Sequence, residues 1–181
     1  KAVPAMAVLA LLQQNPLMIY AGQEYGERGM DCEGFSGNDG RTTIFDYWAV
    51  DTLVRAAGKK LTAGEKALKA AYDKLLSIAR SEKAVAEGLM FDLMYANRHL
   101  QRQYAFLRKK GRETILVVAN FEPHTAETSV TLPAHAFDYL KLRKGKVKAL
   151  SLMTGKECRI ELAPDSAVTL PVDGYSAVVL K

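Results

Sequence analysis

Residues 16–24 read PLMIYAGQE, and the interpretation of the fold starts from this stretch. Leu17–Tyr20 is a short apolar run bounded by Pro16 and Gly22, a pattern typical of a strand covered on both faces, as in parallel α/β sheets. An apolar helix is expected just before it, over Val3–Leu12, and Pro16 ends that helix because proline disfavours helical geometry in the residue before it. The sequence therefore predicts a helix, a turn and a buried strand.

The segment after this strand predicts a long loop and then two helices. Gly22–Gly40 is rich in Gly, Asp, Glu, Asn and Ser, and loops of this length in compact proteins are usually functional or disordered. Thr62 and Glu65 have the spacing of a capping box, and apolar residues then recur every three or four positions, which predicts a helix with one buried face. A shorter helix is expected from Glu82 to Gly88.

From about Met90 the chain becomes a series of short β-rich runs separated by turn residues, typical of an antiparallel sandwich or barrel. The predicted strands are Gln103–Arg108, Thr114–Phe121, Glu127–Leu132, Val147–Met153, Glu157–Leu162, Ala167–Val172 and Tyr175–Leu180. Turns are expected at 110–112, 154–156 and 173–174. This number of strands is enough for a two-sheet sandwich, so we expect one domain over residues 1–88 and a second over 89–181.

The net charge of +5 is unevenly distributed. Residues 1–100 carry equal numbers of basic and acidic side chains, so the excess lies in residues 101–181. Its clusters are Arg108, Lys109, Lys110 and Arg112, and Lys141, Arg143, Lys144, Lys146 and Lys148. A nucleic-acid surface is one interpretation. Solvated hairpin tips around Gly111 and Gly145 are favoured, because no aromatic residues alternate with these charges as they do in single-strand binders.

The cysteines and histidines indicate no cofactor. Cys32 and Cys158 are far apart in sequence, and no pair of Cys or His residues has zinc-ligand spacing. A disulfide and two free thiols both stay open, with free thiols favoured. We place His99 in a hairpin connection, and His124 and His135 in loops.

The chain contains no apolar run of the roughly 20 residues that cross a bilayer, so no membrane partner is predicted. Residue 1 is Lys, and we expect the natural N-terminus to lie upstream. A secreted or periplasmic location and a cytoplasmic one both stay open.

In combination these features resemble the C-terminal part of the α-amylase family of glycoside hydrolases, in which a β/α barrel is followed by a β-sandwich. The eighth barrel strand of that family commonly reads Gly-x-Pro, two hydrophobic residues, then Tyr-Tyr-Gly-Gln-Glu. The matching residues in this sequence are Tyr20, Gly22, Gln23 and Glu24, whereas Asn15 and Leu17 stand where the family has Gly and Pro.

Later segments extend the resemblance over nearly the whole chain. Tyr104–Arg108 is similar to the family's Tyr-x-Phe-x-Arg strand, and Leu116–Phe121 to the hydrophobic run ending in Asn-Phe that pairs with it. Leu170–Leu180 is similar to the family's closing strand. The resemblance implies the end of a TIM-type β/α barrel followed by an all-β antiparallel Greek-key sandwich.

Within the long loop, residues 39–48 read DGRTTIFDYW, similar to the Asn-Arg…Trp segment that edges the family's sugar-binding cleft. The aromatic rings of Tyr47 and Trp48 offer apolar faces to sugar rings, and the charged side chains can hydrogen-bond hydroxyls. Alternatively, the aromatic residues cover the barrel end as core. Seven residues separate Arg41 from Trp48, more than in the family. The candidate supporting residues for substrate binding are Tyr20, Gln23, Glu24, Asp39, Arg41, Asp46 and Trp48.

Glu24 is a candidate acid at the C-terminal end of a barrel strand, where the active sites of such barrels lie. Retaining hydrolysis needs two carboxylates about 5 Å apart across the bond that breaks, and Glu24 and Glu27 are too close in sequence to flank a sugar. The resemblance implies a supporting role for Glu24, with the catalytic carboxylates on strands that precede residue 1. No catalytic residue is therefore expected in this chain.

Two functions follow as hypotheses. The first is the C-terminal portion of an α-glucan-active enzyme that hydrolyses or transfers α-glucosidic bonds with retention, and whose partner is an α-glucan or maltooligosaccharide. The second is a non-catalytic carbohydrate-binding or interaction module in which the sandwich is the working part. In either case an unpaired barrel strand at Leu17–Tyr20 predicts dimerisation or association through that strand.

Overall fold

A computed structural model of the chain describes residues 1–27 and 51–181. Its contacts divide the described chain into two compact units. The larger unit comprises Lys1–Leu17 and Asp73–Lys181, and the smaller unit is Met18–Tyr72. The domain boundary between residues 88 and 89 stays a prediction.

The helices are α1 (Ala2–Leu11), α2 (Asp51–Ala57), α3 (Ala63–Ser81), α4 (Lys83–Ala86) and α5 (Ala134–Leu140). The predicted capping box starts α3: the Thr62 amide donates to Glu65 Oε2 at 2.7 Å, and the Glu65 amide donates to Thr62 Oγ1 at 3.2 Å. These bonds satisfy amide groups that a helix start leaves without intrahelical partners. Of the helices within the described ranges, none has both the length and the apolar character that a membrane crossing requires.

The strands all belong to the larger unit and pair antiparallel. They are β1 (Leu89–Asp92), β2 (Gln103–Lys110), β3 (Glu113–Asn120), β4 (Ala126–Leu132), β5 (Gly145–Leu150), β6 (Glu157–Leu162), β7 (Ser166–Val172) and β8 (Ser176–Leu180). One sheet has the order β1-β2-β3-β8, while β4 pairs with β7 and β5 with β6. The seven strands predicted after Met90 are all present, each end within three residues of its expected position.

The four-stranded sheet is buried on both faces at its centre. One face of β2 carries Ala105 and Leu107, which join the core formed with β4, β7 and α5. Phe106 and Arg108 alternate with them and are also buried, because α4 packs on β2 and α1 packs on β3. The larger unit is therefore layered, with α1 and α4 on one face of this sheet, and α5 and the shorter sheets on the other.

The predicted strand Leu17–Tyr20 is wrong for this chain, since these residues form neither helix nor strand. The Met18 side chain is 83% exposed instead of covered. A strand needs a hydrogen-bonded neighbour, and every strand pairing among the described residues lies between residues 89 and 180.

The basic clusters also differ from the expectation of solvated hairpin tips. Gly111 does lie in the β2–β3 turn, with a φ of 55°. Arg108 and Lys109, however, are only 2% and 9% exposed, because both lie in the buried part of β2. Gly145 begins β5 after α5 and is not at a hairpin tip.

Three elements were not predicted: α2, β1 and α5. Helix α2 has seven residues. Strand β1 has four residues and pairs only with β2. Helix α5 has seven residues, too few for a clear helical periodicity. As a consequence His135, which was expected in a loop, lies in α5, whereas His99 and His124 lie in turns or loops as expected.

Candidate functional site

The candidate site of the smaller unit is the turn from Gly22 to Glu27. Gly22 and Gly26 have φ values of 85° and 81°, which L side chains rarely adopt. The amides of Tyr25 and Glu27 both donate to the Gly22 carbonyl at 3.0 Å. A Cβ at residue 22 would lie 2.9 Å from Glu27 Cβ, so only glycine fits this close approach.

The Gln23 side chain is held at both ends. Its Oε1 accepts a hydrogen bond from the Tyr20 amide at 3.2 Å, and its Nε2 donates to the Tyr72 hydroxyl at 3.3 Å. Tyr72 is buried on α3. Gln23 and Glu24 therefore lie on this turn, with Tyr20 bonded to it, and the role of the three residues in binding substrate stays a prediction.

Glu24 has an unsatisfied carboxylate oxygen. The Oε2 atom is buried, and it has no hydrogen-bond partner in the described part of the chain. Buried polar atoms without a partner are rare, and each calls for a donor or a function that explains it. This carboxylate is able to accept a hydrogen bond from a donor outside the described residues.

Glu27 has a different environment, which the sequence did not reveal. Its Oε2 accepts hydrogen bonds from the Thr52 amide at 3.0 Å and from the Thr52 hydroxyl at 2.5 Å. Thr52 is buried at the start of α2. Glu27 thus joins the turn to α2, and its partner lies 25 residues away in the chain.

A second charged contact joins α2 to α3. Arg55 donates to Glu65 Oε1 from Nε at 2.9 Å and from Nη2 at 2.5 Å. This hydrogen bond, followed by the one from the Thr62 amide, lowers the pKa of Glu65 to about 2. The capping glutamate therefore stays ionised over most of the pH range and links α2 to the first turn of α3.

The other predicted site residues, Asp39, Arg41, Asp46 and Trp48, lie outside the described residues, as does Cys32. Cys158, on β6, is free. Within residues 1–27 and 51–181, no group of three or more His, Cys, Asp or Glu side chains is placed to hold a metal ion.

The larger unit presents a group of aromatic side chains that the sequence analysis did not single out. Phe91 lies with its ring centroid 5.2 Å from His135 and 6.1 Å from Tyr139. Tyr95 places its hydroxyl 2.6 Å from His135 Nε2. Tyr95 and Tyr139 are 48% and 58% exposed. We call these four residues the aromatic cluster; it could not be read from a sequence in which its members are up to 48 positions apart.

No family model and no curated protein sequence matches the chain. Solved structures do match it. AmyP in complex with maltose is 16% identical, with a TM-score of 0.65, over 98% of this chain and 33% of that one. The maltogenic α-amylase AmyB from Thermotoga neapolitana is 18% identical, with a TM-score of 0.61, over 98% and 35%. The Geobacillus thermoleovorans α-amylase complexed with acarbose is 18% identical, with a TM-score of 0.57, over 98% and 32%.

These matches confirm the predicted resemblance to the α-amylase family at the level of the fold. Nearly the whole chain superposes on α-amylase structures, and it spans about a third of their length. At identities below 20% the likeness shows the fold alone.

Proposed function

We propose that this chain is part of an α-amylase-type glycoside hydrolase, with residues 1–88 forming the end of a β/α barrel and residues 89–181 a β-sandwich domain. The order of the sequence motifs supports this assignment, and so does the structural likeness over 98% of the chain. The substrate class is an α-glucan or maltooligosaccharide, since the similar structures were obtained in complex with maltose, maltotriose and acarbose. The reaction is retaining hydrolysis or transfer at an α-glucosidic bond.

The catalytic carboxylates belong to another part of that enzyme. A retaining glycosidase places two carboxyl groups about 5 Å apart on opposite sides of the glycosidic bond. Glu24 and Glu27 lie on the same turn, and Glu27 is already bonded to Thr52. They therefore do not serve as nucleophile and general acid, and the isolated chain is inactive.

The observation that carries a supporting role for Glu24 is its buried Oε2, which has no hydrogen-bond partner among the described residues. Gln23 beside it is fixed by Tyr20 and Tyr72, so the turn presents the carboxylate in a defined position. In the intact enzyme a donor from the rest of the cleft or from a glucan hydroxyl completes this hydrogen bond. Glu24 then shapes the cleft without taking part in proton or glycosyl transfer.

Reducing-sugar release from soluble starch and maltotriose tests this assignment. We expect no release by the 181-residue chain, and none by Glu24→Gln. Glu127→Gln is the matched control because Glu127 is exposed on β4. Turnover by the wild-type chain that Glu24→Gln abolishes and Glu127→Gln preserves would make Glu24 catalytic and overturn the proposal.

The segment Leu17–Tyr20 is the proposed site of association. It forms no strand, and the exposed Met18 side chain leaves apolar surface available to a partner. Sedimentation velocity should show association that rises with protein concentration and that Met18→Lys weakens. Met90→Lys on the edge strand β1 is the control. A wild-type chain that stays monomeric across the concentration range contradicts this part of the proposal.

The aromatic cluster favours a second candidate, the non-catalytic carbohydrate-binding module. Half-exposed tyrosine rings provide apolar faces with polar tips. The carboxylates of Asp165 and Asp92 lie near Tyr95. Partial burial raises the pKa of Tyr95, and these two charges raise it further. Rings beside hydrogen-bond acceptors suit a sugar.

Affinity electrophoresis through glycogen-containing gels separates the two candidates. A binding module predicts retardation that Tyr139→Ala removes and Tyr139→Phe keeps, since phenylalanine preserves the ring. Equal migration with and without glycogen rejects the module and leaves the enzyme-fragment proposal untouched.

A further inference from the structure

The larger unit contains a cavity of about 270 Å³. It lies between β2, β3, β5, β6 and the ends of β4 and β8. Its interior is apolar, with walls formed by Leu107, Leu116, Leu132, Val147, Ile160 and Leu162. Charged side chains also line it, and most of them are cations.

Lys109 is the buried member of this charged group. It continues the core-facing series Ala105 and Leu107 on β2, and it is 9% exposed. Its ammonium donates to Thr114 Oγ1 at 2.9 Å. No carboxylate in the described part of the chain lies within ion-pairing distance of it. A buried charge without an opposite charge is costly, so this position calls for an anion that the described residues do not supply.

The surrounding charges strengthen this requirement. Burial lowers the pKa of Lys109, and the positive charge of Arg143 lowers it further. Arg112 and Lys148 add two more cations to the lining. The walls of the cavity are thus mainly apolar, and most of its charged lining residues are cations.

Glu113, the acidic side chain of the lining, already has partners for both carboxylate oxygens. Its Oε1 accepts a hydrogen bond from the Ala84 amide at 2.6 Å. Its Oε2 lies 3.0 Å from the Lys181 ammonium, which also pairs with Glu82 at 2.6 Å. Among the described residues, no ion pair therefore joins Lys109 or Arg143 to a carboxylate.

We infer that this cavity binds an amphipathic carboxylate, with the headgroup between Lys109 and Arg143 and the alkyl chain against the leucine-lined walls. A volume of about 270 Å³ lies just below the ~300 Å³ at which sites for drug-sized ligands begin, so the ligand is small, such as a medium-chain fatty acid. A sugar does not fit, because its hydroxyl groups would face walls without hydrogen-bond partners. The site is separate from the Gly22–Glu27 turn and does not depend on the proposed function.

Calorimetric titration of the chain with octanoate, below its micelle concentration, tests the inference. Octanol is the neutral probe of equal chain length, and butyrate is the short anionic probe. We expect saturable binding of octanoate with both other probes at least about tenfold weaker, since a charge-assisted hydrogen bond contributes roughly this factor or more.

Variants assign the headgroup position. Lys109→Met should weaken octanoate binding by about tenfold and leave octanol binding unchanged. Arg143→Met changes an exposed side chain, so it preserves the fold and provides the same test if Lys109→Met does not fold. Lys144→Met is the matched control, because Lys144 is exposed and does not line the cavity.

Three outcomes would overturn the inference: no saturable binding of octanoate, equal binding of octanol and octanoate, or full octanoate affinity in both the Lys109→Met and Arg143→Met variants. The second outcome would show that the cavity takes apolar chains without recognising an anion. A loss in Lys144→Met as large as in Arg143→Met would show attraction by net charge and would count equally against a defined site.

Discussion

The buried guanidinium of Arg108 holds α1 and α4 onto the four-stranded sheet. Nη1 donates to the Leu12 carbonyl at 2.5 Å, and Nε donates to the Ala84 carbonyl at 3.1 Å. Nη2 donates to the carbonyls of Val85 and Gly88 at 2.6 and 3.0 Å. One side chain on β2 therefore bonds the end of α1, two carbonyls in α4 and one just after α4. We predict that its loss destabilises the whole unit.

The expected loss for Arg108→Met is about 3 kcal/mol. Each carbonyl that loses a charged donor in a buried site costs about 1–3 kcal/mol, and Gly88 keeps a second donor from Gln14 at 3.0 Å. Relief of the guanidinium's desolvation offsets several kcal/mol of that sum. For a chain of 181 residues this corresponds to a fall in Tm of about 6–12 °C.

Urea unfolding followed by circular dichroism measures this difference in the free energy of unfolding. Arg108→Lys should recover only part of it, because an ammonium has three donors and lacks the planar fork. Arg98→Met is the control, since Arg98 is exposed, and it should stay within about 0.5 kcal/mol of wild type. An Arg108→Met protein as stable as Arg98→Met would refute the reasoning.

Three further changes test other contacts. The pKa of Glu65 near 2 lies below the value of about 4.3 expected in the unfolded chain, so its contribution to stability is present above pH 4.3 and is lost as the pH falls toward 2. Unfolding of Glu65→Gln should depend less on pH between 5 and 2 than that of wild type, and an unchanged pH profile would contradict the role of its contact with Arg55. Gly22→Ala should lower the free energy of unfolding by about 1–3 kcal/mol, because the added Cβ meets Glu27 at 2.9 Å and φ is 85°; a denaturation midpoint equal to wild type argues against the turn as described. Asn120→Ala should cost about 2–4 kcal/mol, since the buried amide donates to three carbonyls at 3.0–3.2 Å, and thermal unfolding within a degree of wild type would show those bonds to be unimportant.

Strands with one exposed face can be predicted from their alternation alone. Strand β6 alternates half-buried and exposed residues along its length, and β7 alternates buried and exposed ones. Gly111 and Gly155 have positive φ values in turns that follow β2 and β5. Period-two alternation between turn residues is local information, so it can be recognised without knowing the tertiary contacts.

On β2, where both faces are buried, the sequence predicts the strand but not the burial of its basic end. The run of basic residues 108–110 predicted a solvated tip, but only Lys110 is exposed there. The carbonyls that receive the Arg108 hydrogen bonds lie 20 to 96 residues away in the chain. A short motif carries no information about partners at that distance.

In the candidate site, too, local features were predicted and contacts between distant residues were not. The Thr62–Glu65 capping box spans four residues and is predictable from local chemistry. Gln23 and Glu24 were found only through the resemblance to the α-amylase strand, and the hydrogen bonds from Thr52 to Glu27 had no sequence signal. The predicted strand at Leu17–Tyr20 failed because pairing depends on neighbouring strands, which a four-residue run does not supply.

Reducing-sugar release from soluble starch, measured in parallel for this chain and for the chain extended through the coding sequence that precedes Lys1, tests the central claim most directly. The account predicts no release by the chain alone, and release of products with retained α-configuration by the extended protein. Turnover by the isolated chain at the same rate, or an extended protein that folds but does not act on α-glucosidic bonds, would contradict it.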